Sequence, residues 1–342
     1  MTKQLQKELK KTIAPFENAN LKNSMIQILN TVMPFFLLWY LAYESLSFSY
    51  LITIPITAVA AGFLVRIFII FHDCCHQSFF KNKKANEWVG TITGILTLFP
   101  YHQWRHSHNI HHATSSNLNK RGTGDIWVMT VKEYQEASFW KRMAYRLYRN
   151  PLVMFGLGPL YLFLISNRIN RKAARLKERL NTYFTTIAAL LLYVLMCGLI
   201  GWQAFFMIQG PILFISGFLG IWLFYIQHHF EDSYFEAEEN WDFVKAAVEG
   251  SSFYKLPKVL QWITGNIGYH HVHHLSPRVP NYYLEEVHDH NLPLKTVPTV
   301  TIRSSLHAIH YRLWDEGSKQ FVSFRDIKKR AVRQKLFHKM VD

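Results

Sequence analysis

The chain has 342 residues, a formal net charge of +15 and three cysteines, two of which are adjacent. So few cysteines exclude a disulfide-stabilised framework. A basic excess is typical of proteins that bind nucleic acid, anionic lipid or an acidic protein. Because several stretches carry almost no charge and are long enough to cross a bilayer, the sequence favours lipid and argues against nucleic acid as a partner.

Four apolar stretches have the ~20 residues that a membrane span needs. They cover residues 25–46, 49–71, 182–200 and 204–225. The connection within each pair is short, so the spans form two helical hairpins. Lysine and arginine precede both hairpins and are absent from the hairpin tips, which places the open ends on the cytoplasmic side. Arg66 lies near such an end, and we expect its side chain to extend to the interface.

Two shorter apolar stretches, 89–100 and 152–165, are too short to span comfortably. They are predicted to be in-plane or re-entrant helices at the cytoplasmic interface. The alternative is that they also cross, which gives six crossings. The region from residue 226 onward is polar and basic and is predicted to be helical with loops.

The predicted fold is therefore an all-α integral membrane protein. It has four transmembrane helices in two hairpins, interfacial helices and a cytoplasmic helical cap that carries clustered histidines. We expect a single domain over residues 1–342. Its parts are a cytoplasmic N-terminus (1–24), hairpin one (25–71), a cytoplasmic region (72–181), hairpin two (182–225) and a second cytoplasmic region (226–342).

Thirteen of the 18 histidines fall in four short windows. The windows contain His72 and His76; His102, His106, His108, His111 and His112; His228 and His229; and His270, His271, His273 and His274. Two windows directly follow predicted spans and two lie in the cytoplasmic regions, so all four can meet at one site near the membrane surface. The remaining histidines lack such neighbours and are expected at the surface: His288, His290, His307, His310 and His338.

The spacing within three windows points to metal binding. His72 and His76 are four residues apart, and HNIHH and HHVHH place histidines at i, i+3 and i+4, so each group is expected on one helix face. Neutral imidazole is the commonest metal ligand. Eight or nine convergent imidazoles exceed the needs of one tetrahedral ion and favour two metals. Imidazole accepts Zn, Cu, Fe or Ni, so the ligand type leaves the metal open.

The segments HDCCH, HNIHH and HHVHH, with membrane hairpins between them, resemble the three histidine boxes of membrane fatty-acid desaturases. The flanking segments QHHFED and YHHVHHLSPRVPNY are similar to the bacterial acyl-lipid branch, close to the Δ5 acyl-lipid desaturases of bacilli. The resemblance covers most of the chain. It implies an enzyme with a non-haem di-iron centre that uses O2 and two electrons to introduce a cis double bond into a saturated acyl chain of membrane lipid.

Nine histidines hold the metals in that family. Carried onto this sequence, the catalytic metal ligands are His72, His76, His108, His111, His112, His228, His270, His273 and His274, with His229 as the alternative to His228. Animal stearoyl-CoA desaturases have an asparagine four residues before the ninth histidine, where this chain has Phe224. Gln227 and Asn266 are candidates to replace it; the alternative is that the metal has one more open position. His106 and His271 are expected beside the ligands or in a substrate loop. Zinc can replace iron in purified protein.

Four acids near the boxes are candidates to accept imidazole N–H: Asp73, Asp125, Glu231 and Asp232. For each one, an ordinary loop acid is the simpler interpretation. Cys74 and Cys75 are expected to serve packing. A phospholipid acyl chain is expected to reach the metals through a tunnel whose walls come from the spans and the short interfacial helices.

The sequence contains no cytochrome b5, iron–sulfur or dinucleotide-binding signature, so electrons must come from outside the chain. Ferredoxin or flavodoxin docking on a basic cytoplasmic face is the expected donor, and anionic membrane lipid is the other partner that these charges favour. The expected location is the cell membrane, with the active site facing the cytoplasm. Alternatives are a hydroxylase or other oxygenase on the same scaffold, a zinc hydrolase and a membrane metal transporter. The last is disfavoured because the third and fourth spans lack histidine and charge.

Overall fold

The structure is a computed structural model that describes residues 3–330, so the prediction for His338 lies outside the described residues. Helices dominate. In chain order they are α1 Lys3–Ile13, α2 Leu21–Ser45, α3 Tyr50–His76, α4 Lys83–Thr97, α5 Tyr101–Thr114, α6 Val131–Glu136, α7 Phe139–Tyr148, a π-helix at Leu152–Leu157, α8 Gly158–Leu164, α9 Leu176–Ile200, α10 Trp202–His228, α11 Phe243–Val248, α12 Lys258–Ile263, α13 His270–Leu275, α14 Leu284–His290 and α15 Ile302–Ala308.

The four predicted spans are confirmed as α2, α3, α9 and α10, each long and apolar enough to cross a membrane. Local sequence explains their ends. The side chains of Asn20 and Ser49 accept hydrogen bonds from the first free N–H groups of α2 and α3. Helix α3 stops after His76 because Gln77 adopts a left-handed conformation. Gly201, with φ of +85°, makes the tight turn between α9 and α10.

Helix α3 is the central helix of the membrane bundle. It packs against α2, α4 and α10, and it is the most buried of the four spans. It also runs five residues beyond the predicted boundary at residue 71, so that His72 and His76 lie on the span itself rather than after it. Because α3 is fixed on several sides, the histidines at its end are held on a rigid support.

The expectation that Arg66 extends to the interface is wrong. Its side chain is buried within the protein, where Nε donates to the Thr31 hydroxyl at 2.9 Å. Another guanidinium nitrogen donates to the Trp262 carbonyl, and the guanidinium lies 4.1 Å from the centre of the Trp262 ring. Arg66 thus joins α2, α3 and α12, because protein groups are available to it within the bundle.

The two shorter apolar stretches form helices that do not span on their own. Helix α4 lies against α3 and α9 and is not among the helices of spanning length. The second stretch is divided between the π-helix and α8. It adds a fifth crossing only if Phe139–Tyr148 and Leu152–Arg168 are counted as one segment, which is bent by 63°. The described residues therefore give four spans, or five with this bent segment.

The polar part of the chain contains short strands as well as helices, which the sequence interpretation missed. They are β1 Met129–Thr130, β2 Phe253–Lys255, β3 Thr299–Thr301, β4 Leu313–Asp315 and β5 Gln320–Val322. Strands β2 and β3 pair in parallel, and β1, β4 and β5 form a three-stranded sheet. Helix α1 packs through Leu9 and Ile13 onto the core around α13 and α14. These contacts hold α13, with its histidines, against the ends of the membrane helices.

We predict that Arg66→Ala destabilises the folded protein by about 1.5–3 kcal/mol, the usual contribution of hydrogen bonds to a charged group. The substitution removes the link between α12 and the membrane bundle. Thermal unfolding in detergent, followed by tryptophan fluorescence, measures the effect. Arg175→Ala is the matched control, because Arg175 is exposed and its side chain does not cap α9. Equal unfolding temperatures for both variants would contradict this role of Arg66.

Candidate metal centre

Four elements bring the histidine windows to one place. Helix α3 ends with His72 and His76, and α10 ends with His228. Helix α5 carries the second box, and the short helix α13 carries the third. All these histidines lie at the same end of the membrane bundle, since they form two adjoining clusters. The predicted convergence of the boxes is therefore present in the structure.

Cluster one consists of five histidines: His72, His76, His108, His112 and His273. One ring nitrogen from each lies within 4.8 Å of the others. The Nε2 atom of His108 is 3.0 Å from that of His72 and 3.1 Å from that of His112. The Nε2 atom of His273 is 2.9 Å from that of His112. The ring nitrogens thus face a common point.

Cluster two consists of four histidines: His111, His228, His270 and His274. The Nε2 atom of His228 is 3.2 Å from that of His111 and 3.0 Å from that of His270. His274 packs against His228, with ring centres 4.7 Å apart. All four side chains are buried.

The second and third boxes are each divided between the clusters, whereas the spacing suggested that each box presents one face to one site; the first box lies wholly in cluster one. On α5, His108 and His112 enter cluster one and His111 enters cluster two. On α13, His273 enters cluster one and the other two ligand candidates enter cluster two. Both helices therefore lie between the clusters, and His112 stacks on His274 across the boundary with ring centres 4.2 Å apart.

The structure separates His228 from His229. His228 belongs to cluster two, and its Nδ1 lies 3.1 Å from the Gly250 carbonyl. His229 points away from both clusters. Its ring stacks on Tyr225 with an interplanar angle of 3°, and its Nδ1 lies 3.0 Å from the Tyr225 carbonyl. His228 is therefore the ninth member of the clustered set.

Two of the four candidate acids contact imidazoles. A carboxylate oxygen of Asp73 is 3.0 Å from His72 Nδ1, and one of Asp125 is 2.5 Å from His111 Nδ1. Each cluster thus has one histidine whose outer nitrogen meets a carboxylate, an arrangement that fixes the orientation of metal-binding imidazoles. Glu231 and Asp232 are exposed loop acids. The simpler interpretation is therefore right for these two and wrong for Asp73 and Asp125.

Gly124 allows the loop that carries Asp125 to lie against α5. It has φ of +76°, and a Cβ atom there would lie 2.8 Å from the Ser107 carbonyl oxygen and 3.0 Å from the His111 Cβ. Any other residue would push the loop outward and withdraw the Asp125 carboxylate from His111.

The donor set fits metal binding. Burial, reinforced by neighbouring imidazoles, lowers the pKa of five histidines well below the ordinary value: His108, His112, His270, His273 and His274. These rings are neutral at pH 7, which is the form that ligates metals. Nitrogens of His76 and His274 are buried without a hydrogen-bond partner among the described residues. A cation between such nitrogens would satisfy them, as imidazole suits Fe, Zn and Cu.

The remaining residues singled out from the sequence lie around the clusters and are not members of them. Phe224 packs on His111 and His228, and Gln227 donates to the Ile267 carbonyl at 2.8 Å. Asn266 donates to the Asn281 carbonyl at 3.3 Å. Cys74 and Cys75 are buried in an apolar core, as predicted for packing.

The histidines outside the clusters were only partly predicted. His106 is partly exposed, and His290, His307 and His310 are exposed. His288 was expected at the surface but is buried, with its Nδ1 3.0 Å from His271 Nε2. This pair is a packing element that joins α13 to α14.

The sequence interpretation also missed Trp104, which stacks on His108 with ring centres 4.1 Å apart. Its position four residues before His108 was the available signal.

A cavity of about 720 Å³ opens onto both clusters. Its wall includes His72 and His108 of cluster one and His270 of cluster two. Away from the histidines the wall is largely apolar and comes from α3, the π-helix, α8 and α10. Its apolar residues include Leu64, Phe68, Met154, Leu157, Phe163 and Leu223. Leu64 precedes His72 by eight residues, so the cavity extends about 12 Å along α3.

Four helices long enough to span a membrane, with two all-histidine clusters at one end of the bundle, define a multi-pass membrane protein with a candidate metal centre. The model of the fatty acid desaturase family matches residues 48–300. The chain belongs to this family and is an oxidoreductase that desaturates fatty acids.

Individual relatives agree with this assignment. The chain is 66% identical to a fatty acid desaturase of Bacillus subtilis (strain 168), over 94% of this chain and 92% of the relative. It is 27% identical to the sn-1 oleoyl-lipid 12-desaturase of Synechocystis sp., over 69% of this chain and 67% of the relative. It is 29% identical to the sn-1 acyl-lipid omega-3 desaturase (ferredoxin) of Synechocystis sp., over 64% of this chain and 61% of the relative.

We predict that His228→Gln lowers the metal content of purified protein by about one ion per chain, because a four-histidine site loses a ligand. His229→Gln should leave the metal content unchanged, since His229 lies outside both clusters. Inductively coupled plasma mass spectrometry on folded, detergent-purified protein provides the measurement. Loss of metal from the His229 variant alone would reverse the assignment of the ninth ligand.

Proposed function

We propose that the protein is an O2-dependent acyl-lipid desaturase that introduces a cis double bond into a saturated acyl chain of a membrane lipid. The proposal assigns two iron ions to the two clusters, with the nine clustered histidines as ligands. One observation carries it: a largely apolar cavity, long enough for part of an acyl chain, ends at histidines of both clusters.

The reaction requires a redox cofactor. Removing two hydrogens from adjacent methylenes takes one O2, two electrons and two protons, and it yields the alkene and two waters. An unactivated methylene has no acidic proton, so side-chain acid–base catalysis cannot begin this reaction. Iron held by the histidines would supply the O2 activation that no side chain provides.

Residues around the clusters would orient the metal ligands and keep water away from the acyl chain. Asp73 and Asp125 would hold the rings of His72 and His111 in a fixed orientation. The cavity wall beside the clusters is formed by Phe68, Trp104 and Phe224, whose aromatic rings exclude water from the acyl chain.

A lipid-bound substrate is supported by the position of the cavity. Leu157 and Tyr161 line it and are also 61% and 60% exposed on the membrane bundle. In a membrane these side chains contact lipid, so an acyl chain can reach the cavity from the bilayer. The two Synechocystis relatives are named as lipid desaturases, which agrees with this substrate class.

We infer an acidic electron carrier, ferredoxin or flavodoxin, and a cell-membrane location with the clusters facing the cytoplasm. Lys81, Lys83 and Lys84 are exposed on the segment that follows His76, where a carrier or anionic lipid can bind. One relative is named as a ferredoxin enzyme. The lysines and arginines beside the open hairpin ends support the cytoplasmic orientation.

Expression in a host that lacks unsaturated lipids, with O2 present, should produce fatty acids with one cis double bond. Mass spectrometry of the lipids identifies the product, locates the double bond and tests the Δ5 position that the sequence resemblance implies. His111→Ala should abolish the product while the protein remains in the membrane, because cluster two and its Asp125 contact are lost. A product that retains an added oxygen atom would replace desaturase by hydroxylase, and turnover without O2 would contradict an oxidative reaction.

We predict that Gly220→Leu reduces the yield from long acyl chains by about 10-fold or more, the usual penalty for misfit in an apolar pocket. Gly220 lines the cavity about 12 Å along α10 from His228. A Cβ atom there meets nothing within 4 Å, so the new side chain fits the fold and narrows the cavity.

Gly210→Leu is the matched control, because Gly210 lies on the same helix with equally open space but does not line the cavity. Gas chromatography of the products gives the distribution of chain lengths for each variant. If Gly220→Leu accepted the same chain lengths as Gly210→Leu, the cavity would not hold the substrate.

A further inference from the structure

A buried chain of polar side chains leads from cluster one into the first membrane helix. It begins at His72 and continues through Asp73 and Asn281 to Gln27. All four residues are at most 3% exposed. They come from α2, from the end of α3 and from the 3-10 turn Asn281–Tyr283, which follows the third histidine box. Polar groups buried this deeply are arranged by their hydrogen bonds.

The Asp73 carboxylate is held from two sides. One oxygen lies 3.0 Å from His72 Nδ1. The other accepts from the Asn281 backbone N–H at 2.7 Å and from its side-chain amide at 2.8 Å. A carboxylate can only accept, so His72 donates through Nδ1 and presents the lone pair of Nε2 to cluster one. The orientation of the His72 ring therefore depends on where the Asp73 carboxylate is held.

Gln27 sets the direction of the Asn281 amide. Its Nε2 donates to the Asn281 side-chain oxygen at 2.9 Å. Without this donor, the Asn281 amide loses the contact that keeps its oxygen away from Asp73. A rotated amide would turn that oxygen toward the carboxylate, where two acceptors repel each other. The oxygen of Gln27 is itself buried without a partner among the described residues, so only the donor half of this side chain is used.

Cluster two has a different arrangement. Its carboxylate, Asp125, belongs to a local loop, is 17% exposed in its side chain and accepts from the Gly122 backbone N–H at 3.4 Å. Within residues 3–330, the described side-chain connection to the membrane helix α2 therefore starts from cluster one. A change at Gln27 should reach one cluster and not the other.

We propose that Gln27 and Asn281 are positioning residues: they hold the Asp73 carboxylate, and through it the His72 ring, in the orientation that cluster one needs to bind a metal. This inference rests on the proposed metal-binding role of the clusters. It goes beyond that role by assigning a function to a glutamine in the first span, which is separated from the cluster-one centre by Asn281, Asp73 and His72.

The test measures Co²⁺ affinity at each cluster separately, without turnover. His228→Gln combined with His270→Gln provides a background with cluster one intact and two histidines left in cluster two. His76→Gln combined with His108→Gln and His112→Gln provides one with cluster two intact and two histidines left in cluster one. Gln27→Met, Gln27→Glu and Asn281→Ala are added to each background. Co²⁺ binding by full-length protein in detergent is followed by the visible d–d absorption, which also reports ligand geometry.

We expect each added substitution to weaken Co²⁺ binding at cluster one by about 10–100-fold, as for other residues that support metal ligands. The absorption spectrum of cluster one should change, and the affinity of cluster two should stay the same. Ser45→Ala is the matched control, since Ser45 is also buried on α2, lies 18 residues beyond Gln27 and donates to the Ala42 carbonyl at 2.8 Å. It should leave both affinities unchanged.

The outcomes separate the two claims. Unchanged cluster-one affinity in the Gln27 variants overturns the positioning role while leaving the metal sites in place. Equal losses at both clusters, or an equal loss with Ser45→Ala, show a general structural effect and also overturn it. If the chain with unaltered clusters takes up no Co²⁺, the proposed metal centre fails, and the positioning role fails with it.

Discussion

The structure depends on bringing nine imidazoles together in a largely buried space. Their nitrogens face one another at 2.9–3.2 Å in several pairs, an arrangement that a cation between them would satisfy. Burial lowers the pKa of the clustered histidines on α13 and of His108 and His112, and the neutral ring is the form that binds metal. The long helices, the polar cap and the cavity can all be understood as the means of holding these rings in place and leading an acyl chain to them.

The ends of the membrane helices provide that support. Helix α3 is surrounded by α2, α4 and α10, so His72 and His76 are fixed by a bundle rather than a loop. The cap adds α13 from the other side, held by apolar contacts with α1 and α14. Catalytic groups placed on rigid elements keep their geometry better than groups on loops. In this protein α3 and α10 carry histidines of the clusters and also line the apolar cavity, so the cavity and the clusters are held in a fixed relation.

Much of the fold and site follows from local sequence. Hydropathy locates the four spans because a bilayer demands long apolar helices, and the spacing of HNIHH and HHVHH indicates ligands because one helical turn brings such residues together. The division of the second and third boxes between two clusters was not predictable, since it depends on how α5 and α13 approach each other. The predicted positions of Arg66 and His288 were wrong for the same reason, since each is set by a partner in another helix. Arg66 bonds to Trp262, which is distant in the chain, and His288 meets His271.

The order of the ligands along the chain has a consequence for biosynthesis. Both clusters need the third box, because His273 completes cluster one while His270 and His274 complete cluster two. Neither cluster is complete until α13 has been translated, since a chain that ends earlier lacks one histidine of cluster one and two of the four histidines of cluster two. If the clusters hold metal as proposed, the full ligand set becomes available only late in assembly, after both hairpins have been made.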